Sequence, residues 1–296
     1  MRRIAGRRSL IVAAWWLAAF AQDVPDWQTA AGGKRSFEVA SVKLDNGPFR
    51  SPNFPLDPGD FYRPVGGRFS ADFPLLTYIT FAYKLSLSAD QRQAMLANLP
   101  EWIATDRYAI EARAEGSPTK DQMRLMVQSL LAERFKLAAH FETRIFSAFA
   151  LTLAKPGKTG PKLRPHSEGV PCEGTPDDRV FPPVCDVVMV NVDANNIAKG
   201  GSRNTTMALL AGLLPGMGRL DHPVVDRTGL TGRFDFTIEF APEFSRPSSP
   251  AGDPEPELPG PRFIDALREQ LGLKLESTRA PLLLLVIDHV ERPTGN

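Results

Sequence analysis

The chain has 296 residues, 43% hydrophobic and 23% charged, with a formal net charge of +1, a composition that reads as globular and suffices for one large or two small cores. Four of its 35 basic residues, Arg2, Arg3, Arg7 and Arg8, precede the first acid, Asp23, so beyond this leader 31 basic residues face 34 acidic ones. That balance supplies neither the phosphate contacts of a nucleic-acid binder nor the polybasic patch of an anionic-membrane binder.

The leader itself has a basic start, an apolar run from Leu10 to Phe20 and a small-x-small site at Ala19-Phe20-Ala21, the pattern of an export signal over residues 1–21. Its apolar run is about half the roughly 20 residues a bilayer crossing needs. An anchor helix is the alternative; the expectation is an exported chain, periplasmic or extracellular, with no stable membrane insertion after signal cleavage. Arg7-Arg8-Ser9-Leu10-Ile11 leaves the twin-arginine and general secretory routes both open.

Residues 22–35 are small and polar and read as a flexible lead. A first module, 36–160, opens with a short strand at Phe37–Lys43, followed by a proline-rich loop from Asn46 to Pro64 and a second short strand at Arg68–Ala71. Pro74 then starts a helix whose Leu75, Leu76, Ile79, Ala82 and Tyr83 fall at helical spacing. Asp90–Leu99 is a polar helical or loop segment, and Tyr108, Ile110 and Ala112 share one face of a strand. Thr119 stands three residues before Gln122, the capping-box spacing, ahead of a helix with a Met123, Met126, Val127, Leu130, Leu131 stripe. A strand to Thr143, a turn near Arg144 and an antiparallel partner at Phe146–Leu153 close the module.

Residues 161–185 form a loop rich in proline and glycine that holds both cysteines, Cys172 and Cys185. In an oxidising compartment the expectation is a disulfide, closing a loop of about 14 residues and adding about 3 kcal/mol in the chain-entropy view. A two-cysteine metal site is the alternative. It lacks a third Cys, and the nearby His166 lies outside the usual ligand spacing. No metal or cofactor is expected.

The second module, 186–296, repeats the first. Val187–Val192 is a strand, Gly200–Leu210 matches Gly66–Leu76 in pattern, and Arg233-Phe234 aligns on Arg107-Tyr108. Phe234, Phe236, Ile238 and Phe240 alternate with Asp235, Thr237 and Glu239, which predicts a strand buried on one face, approached by a turn at Gly229 and Gly232. Leu267–Leu273 aligns on Leu131–Leu137, and Leu283–Ile287 matches the last strand of the first module. Residues 241–261 are a mobile Pro/Ser/Glu excursion. The predicted fold is α+β: two tandem duplicated modules, each a small, mostly antiparallel sheet with two helices packed on it.

Catalytic motifs dissolve on inspection. Ser117-Pro118-Thr119-Lys120 and Lys158-Thr159-Gly160 fit two elements of penicillin-binding enzymes, but the Ser-x-Asn element between them is missing and the capping box explains the first. Gly157-Lys158-Thr159 lacks the first glycine of a phosphate-binding loop. The four histidines, His140, His166, His222 and His289, are separate and read as solvated strand-end residues. Asp106-Arg107 and Asp226-Arg227 recur before strands of both halves; they are either turn caps or the charged lip of a cleft between modules.

Five blocks carry a resemblance: Phe37–Lys43, Gly67–Ser70, Leu130–Leu137, Val225–Asp235 and Val286–Pro293. Together they are similar to the signature blocks of the soil-associated family of exported bacterial proteins of unknown function. The resemblance spans essentially the whole chain beyond the leader; Phe146-Ser147 stands where the family usually has Leu-Pro. Related domains fused to membrane metallopeptidase-type sensors imply a sensing or binding role, and the resemblance supplies no catalytic residues.

The expectation is therefore a non-enzymatic binding or interaction protein of the cell envelope whose partner is a peptide, a glycan or an envelope protein, bound in the cleft between modules or at an exposed sheet edge. The alternative is a cell-envelope or polymer hydrolase using dispersed carboxylates. Two carboxylates about 5 to 9 Å apart in a cleft favour the hydrolase; an apolar groove with an open sheet edge favours the binder.

Overall fold

The structure is a computed structural model that describes residues 25–172, 180–242 and 259–293; the expected export signal and most of the expected 241–261 excursion lie outside them. In chain order the elements are α1 (Asp26–Ala30), β1 (Val39–Leu44), β2 (Arg68–Pro74), α2 (Leu75–Ala82), α3 (Ala89–Leu96), α4 (Trp102–Thr105), β3 (Arg107–Arg113), α5 (Lys120–Arg134) and β4 (Ala138–Leu153). They continue with β5 (Leu163–Pro165), a 3-10 turn at His166–Glu168, β6 (Val188–Val192), β7 (Ala198–Thr205), α6 (Met207–Gly218), β8 (Val224–Asp226), β9 (Phe234–Phe240), α7 (Phe263–Leu271) and β10 (Leu273–His289). Helices and small, mostly antiparallel sheets make an α+β fold.

Local sequence accounts for most of these elements. Thr119 and Gln122 close a reciprocal capping box at the start of α5, and Ser88 with Gln91 does the same for α3. The α5 stripe, Met123, Val127, Leu130 and Leu131, is buried against α2 and the antiparallel β1-β3-β2 sheet, with Phe69, Tyr108 and Ile110 in the same core. A second core lies under the β5-β9-β7-β6 sheet. Phe234, Phe236, Ile238 and Phe240 of β9 meet Leu210 and Leu214 of α6 and Leu267 of α7 there.

The expected turn near Arg144 does not form. β4 runs unbroken from Ala138 to Leu153, and its antiparallel partner is the equally long β10, in register from Leu273↔Leu153 to Ile287↔Ala139. The polar run Glu142-Thr143-Arg144 that suggested a turn is instead the exposed middle of a ribbon, with Arg144 paired to Glu142 at 2.9 Å. Pro281 is tolerated in β10 because that strand lies at the edge of the β10-β4-β8 order. The ribbon serves both cores: Leu284, Leu285 and Ile287 of β10 pack into the first, and Leu151 of β4 into the second.

Two further readings need correction. The lead contains a helix, α1, whose Trp27 ring lies 5.8 Å from the Lys84 ammonium. Asp235, expected on the solvent face of β9, is buried. The loop that follows β5 covers it, and the side chain of His166 pairs with it.

Candidate functional site

Edge strand β6 and helix α6 do not close upon each other. Val188, Val190 and Val192, the alternate residues of one β6 face, stand opposite Leu209, Leu213 and Met217 of α6 and leave a groove of about 350 Å³. Two glycines lie at its side. A Cβ at Gly200 on β7, paired with Val190, would press on the flexible end of Met217, 2.7 Å away, while Gly216 on α6 lines the groove and faces open space. Val190 and Val192 remain 45% and 46% exposed, which is unusual for adjacent same-face valines of a strand beside a core. β6 is an edge in the sheet order, so its outer backbone groups face no neighbouring strand among the described residues.

The opposite wall comes from the first half of the chain. Asp57, Pro58 and Gly59 line the groove, and the backbone N–H of Phe61 donates to Asp186 O at 3.1 Å, tying this loop to the chain two residues before β6. Two cations one helical turn apart on α5 hold the loop from beneath. Lys120 Nζ donates to Asp57 Oδ1 and Gly59 O, both at 2.8 Å, and Arg124 Nη2 donates to Asp57 O at 2.9 Å and Gly59 O at 2.8 Å. Arg124 Nη1 also donates to Asp121. Burial pushes the Lys120 ammonium below its usual range, against the charge and hydrogen bond of Asp57, and burial acts the same way on Arg124 against Asp121. Burial works to raise the Asp60 carboxyl, but the hydrogen bond and charge of Lys84 outweigh it and hold that carboxyl below the usual range. Lys120 of the Ser-x-x-Lys motif is thus a structural clamp.

The charged-lip residues do not gather around this groove. Asp106 pairs with Arg292 at 2.6 Å, and Arg107 reaches the buried Asp72 at 3.6 Å while donating to Gly47 O. Asp226 accepts from the backbone N–H and hydroxyl of Thr228 at 2.9 and 2.7 Å, the geometry of a turn cap, and Arg227 is exposed. Asp226 sits beside Leu151 near one end of the β4–β10 ribbon, and Arg292 follows its other end, a ribbon length on the order of 40 Å. The two pairs bracket the ribbon from opposite ends.

All four histidines meet carboxylates: His140 with Asp288, His166 with Asp235, His222 with Asp90 and His289 with Glu291. His140, His222 and His289 are 34%, 40% and 55% exposed near strand ends, in keeping with the solvated strand-end reading, whereas His166 is 19% exposed. Cys172 and Cys185 form a disulfide, with Cα atoms 5.6 Å apart. No helix among the described residues is long and apolar enough to cross a membrane.

A family model described as "Protein of unknown function (DUF3738)" matches residues 76–290, more than half of the chain. The chain belongs to that family. The DUF3738 match begins inside α2 and ends just past β10, so it contains β6, α6 and both cysteines, whereas the Asp57–Gly59 wall precedes it. No curated protein and no solved structure matches the chain.

The groove was hidden from sequence reasoning. Three alternating valines at 188, 190 and 192 were visible as a strand, but the cavity depends on the gap to α6 and on a wall far back in the chain. The available signal was the small-residue pair Gly200 and Gly216 facing those valines.

Proposed function

We propose that the protein is an exported, non-catalytic binding protein of the cell envelope, and that it takes an extended apolar peptide segment of a partner protein along the outer edge of β6. The observation that carries this reading is the coincidence of an unpaired strand edge with an apolar groove directly beside it. A peptide added as a strand would exchange main-chain hydrogen bonds with β6 and drop alternate side chains between Val190, Val192 and Leu213. The leader argues for export, and a disulfide suits an oxidising compartment. The first half of the chain gives the Asp57–Gly59 wall of this groove and the second half gives the strand and helix.

The hydrolase reading has less support. Asp57 and Asp186 both line the groove, but Asp57 is already engaged by Lys120 and the Gly59 N–H, and Asp186 by Asn204 Nδ2 at 2.7 Å and Arg233 at 3.4 Å. Neither is poised as a proton donor to a leaving group.

Gly216→Leu separates binding from folding. Gly216 faces open space, and a helix gains by losing a glycine, so the variant should unfold within about 1 kcal/mol of the parent or slightly above it. Its new side chain fills the groove. Fluorescence polarisation with labelled peptides that alternate Val, Ile or Leu with polar residues should give binding to the parent and at least about tenfold weaker binding to the variant, a loss of about 1.4 kcal/mol. Equal affinity for both proteins, or binding of oligosaccharides with none of peptides, would sink the proposal.

A further inference from the structure

The loop around the disulfide carries more machinery than a staple needs. Its first leg includes the 3-10 turn at His166–Glu168, which directs the His166 imidazole between β9 and the cysteines. His166 Nδ1 meets Asp235 Oδ1 at 2.6 Å, and its other nitrogen, Nε2, lies 3.2 Å from Cys172 Sγ. Asp235 is buried. Its Oδ1 also accepts from the backbone N–H of Asn204 at 3.0 Å, and its Oδ2 has no hydrogen-bond partner among the described residues. A buried carboxylate so placed needs hydrogen-bond donors. His166 is the side chain that supplies one, through Nδ1, which leaves Nε2 turned to Cys172.

This arrangement is particular to one histidine of the chain. The carboxylates of Asp288, Asp90 and Glu291, which pair the other three, are all at least 36% exposed, against 7% for Asp235. Strand β7 explains how the site is built. Its pairing with β9 shifts register between Ser202 and Thr205, and Asn204 takes a left-handed φ of 62°. The bulge turns the Asn204 N–H onto Asp235, while buried Arg203 extends into the cysteine loop.

Arg203 gathers both legs of that loop. Its Nη2 donates to Val170 O at 2.7 Å and Pro171 O at 3.0 Å, immediately before Cys172, and its Nη1 makes longer contacts of 3.5 and 3.4 Å to the carbonyls of Pro182 and Pro183, shortly before Cys185. The loop is therefore held closed by a second device that does not depend on the sulfur–sulfur bond. Cys172 is exposed and open to an incoming thiol.

We propose that Cys172–Cys185 is an exchange-active disulfide that accepts two electrons from a protein dithiol, with His166 stabilising the Cys172 thiolate and Asp235 orienting His166. The dithiol's thiolate attacks the exposed Cys172 Sγ; the Cys172–Cys185 bond breaks, and Cys185 leaves as a thiolate and takes up a proton. The dithiol's second sulfur then attacks the mixed disulfide, and Cys172 leaves as a thiolate facing His166 Nε2. The partner departs as a disulfide, and its two protons end on Cys185 Sγ and His166 Nε2. The released thiolate faces His166 Nε2. Arg203 of β7 holds the loop, and Lys162 and Arg164 of the β5 segment line a cavity with Arg203 and Asp235, Lys162 being paired with Glu239 at 3.2 Å; Glu168, in the His166 turn, is exposed. Such surroundings favour a thiolate over a thiol.

Two measurements on the full chain without its leader test the proposal. In Cys185→Ala, the pH profile of Cys172 alkylation by iodoacetamide should have its midpoint at least about one unit below the free-cysteine value of about 8.5, and adding His166→Gln should return it to that value. With the disulfide intact, equilibration with a dithiothreitol redox buffer at about pH 8 should give the parent an equilibrium constant for reduction at least about threefold larger than that of His166→Gln, because only the parent stabilises the released Cys172 thiolate. This readout holds even if the cysteine variant folds poorly. A midpoint at or above the free value that His166→Gln does not move, or equal equilibrium constants, would overturn the assignment.

Discussion

Gly160→Ala is expected to destabilise the protein by about 3 kcal/mol or more, although it adds a single methyl group. A Cβ at this position would collide with the carbonyl of Gln270, the carbonyl carbon of Leu271 and the amide of Gly272. All three are backbone atoms, so no rotamer change relieves the overlap. The close approach has a purpose. Gly160 N donates to Leu271 O and Lys162 N to Gln270 O, both at 2.8 Å, which fastens the segment leading into β5 onto the last turn of α7. Gly272, at φ +69°, ends that helix in the left-handed conformation that glycine adopts without strain. Displacing the segment breaks two hydrogen bonds worth about 0.5–1.5 kcal/mol each and loosens buried Leu163 and Leu271. Urea unfolding of parent and variant measures the effect; a loss under about 1 kcal/mol would mean that the two segments separate freely.

Arg124→Ala should cost about 3–4 kcal/mol, within the range for removing one member of a buried charged network. The side chain is 0% exposed, lies 5.4 Å from the Phe81 ring centre and donates to Asp57 O, Gly59 O and Asp121. Truncation leaves a cavity under α2 and strips two carbonyls of their charged donor. Asp121 is 30% exposed and resolvates, which keeps the estimate below the top of that range. The same substitution frees the Asp57–Gly59 wall, so peptide affinity should fall along with stability. Lys120→Met should show the same pattern more weakly, because Asp57, 44% exposed, can return to water. Unchanged unfolding and unchanged peptide binding in Arg124→Ala would contradict the clamp.

How much of this was legible depended on the range of the signal. The α5 capping box and the β9 alternation are local, and each formed where the residues placed it. The β4 hairpin failed for a physical reason: Glu142-Thr143-Arg144 is polar because the ribbon is exposed between its two cores, and a polar interruption looks the same in a turn and in a solvated strand. What distinguishes them is a partner strand more than a hundred residues later. The buried Asp235 escaped the alternation argument because its cover, the loop after β5, belongs to another part of the chain. Asp106 and Arg107 looked paired with Asp226 and Arg227 in sequence, yet Asp106, Arg107 and Asp226 each have another structural partner, and the ribbon holds the two sets apart. The two cysteines could be joined by proximity in sequence and compartment; that His166 reaches them is a product of the 3-10 turn and the fixed carboxylate behind it.

Amide hydrogen exchange of the chain with and without a bound apolar peptide tests the binding site most directly. If the peptide adds to the sheet, the outward-facing N–H groups of Val188–Val192 should exchange at least about tenfold more slowly in the complex, with smaller protection along α6. Protection confined to other surfaces, with β6 exchanging as it does in the free protein, would contradict strand addition at this edge.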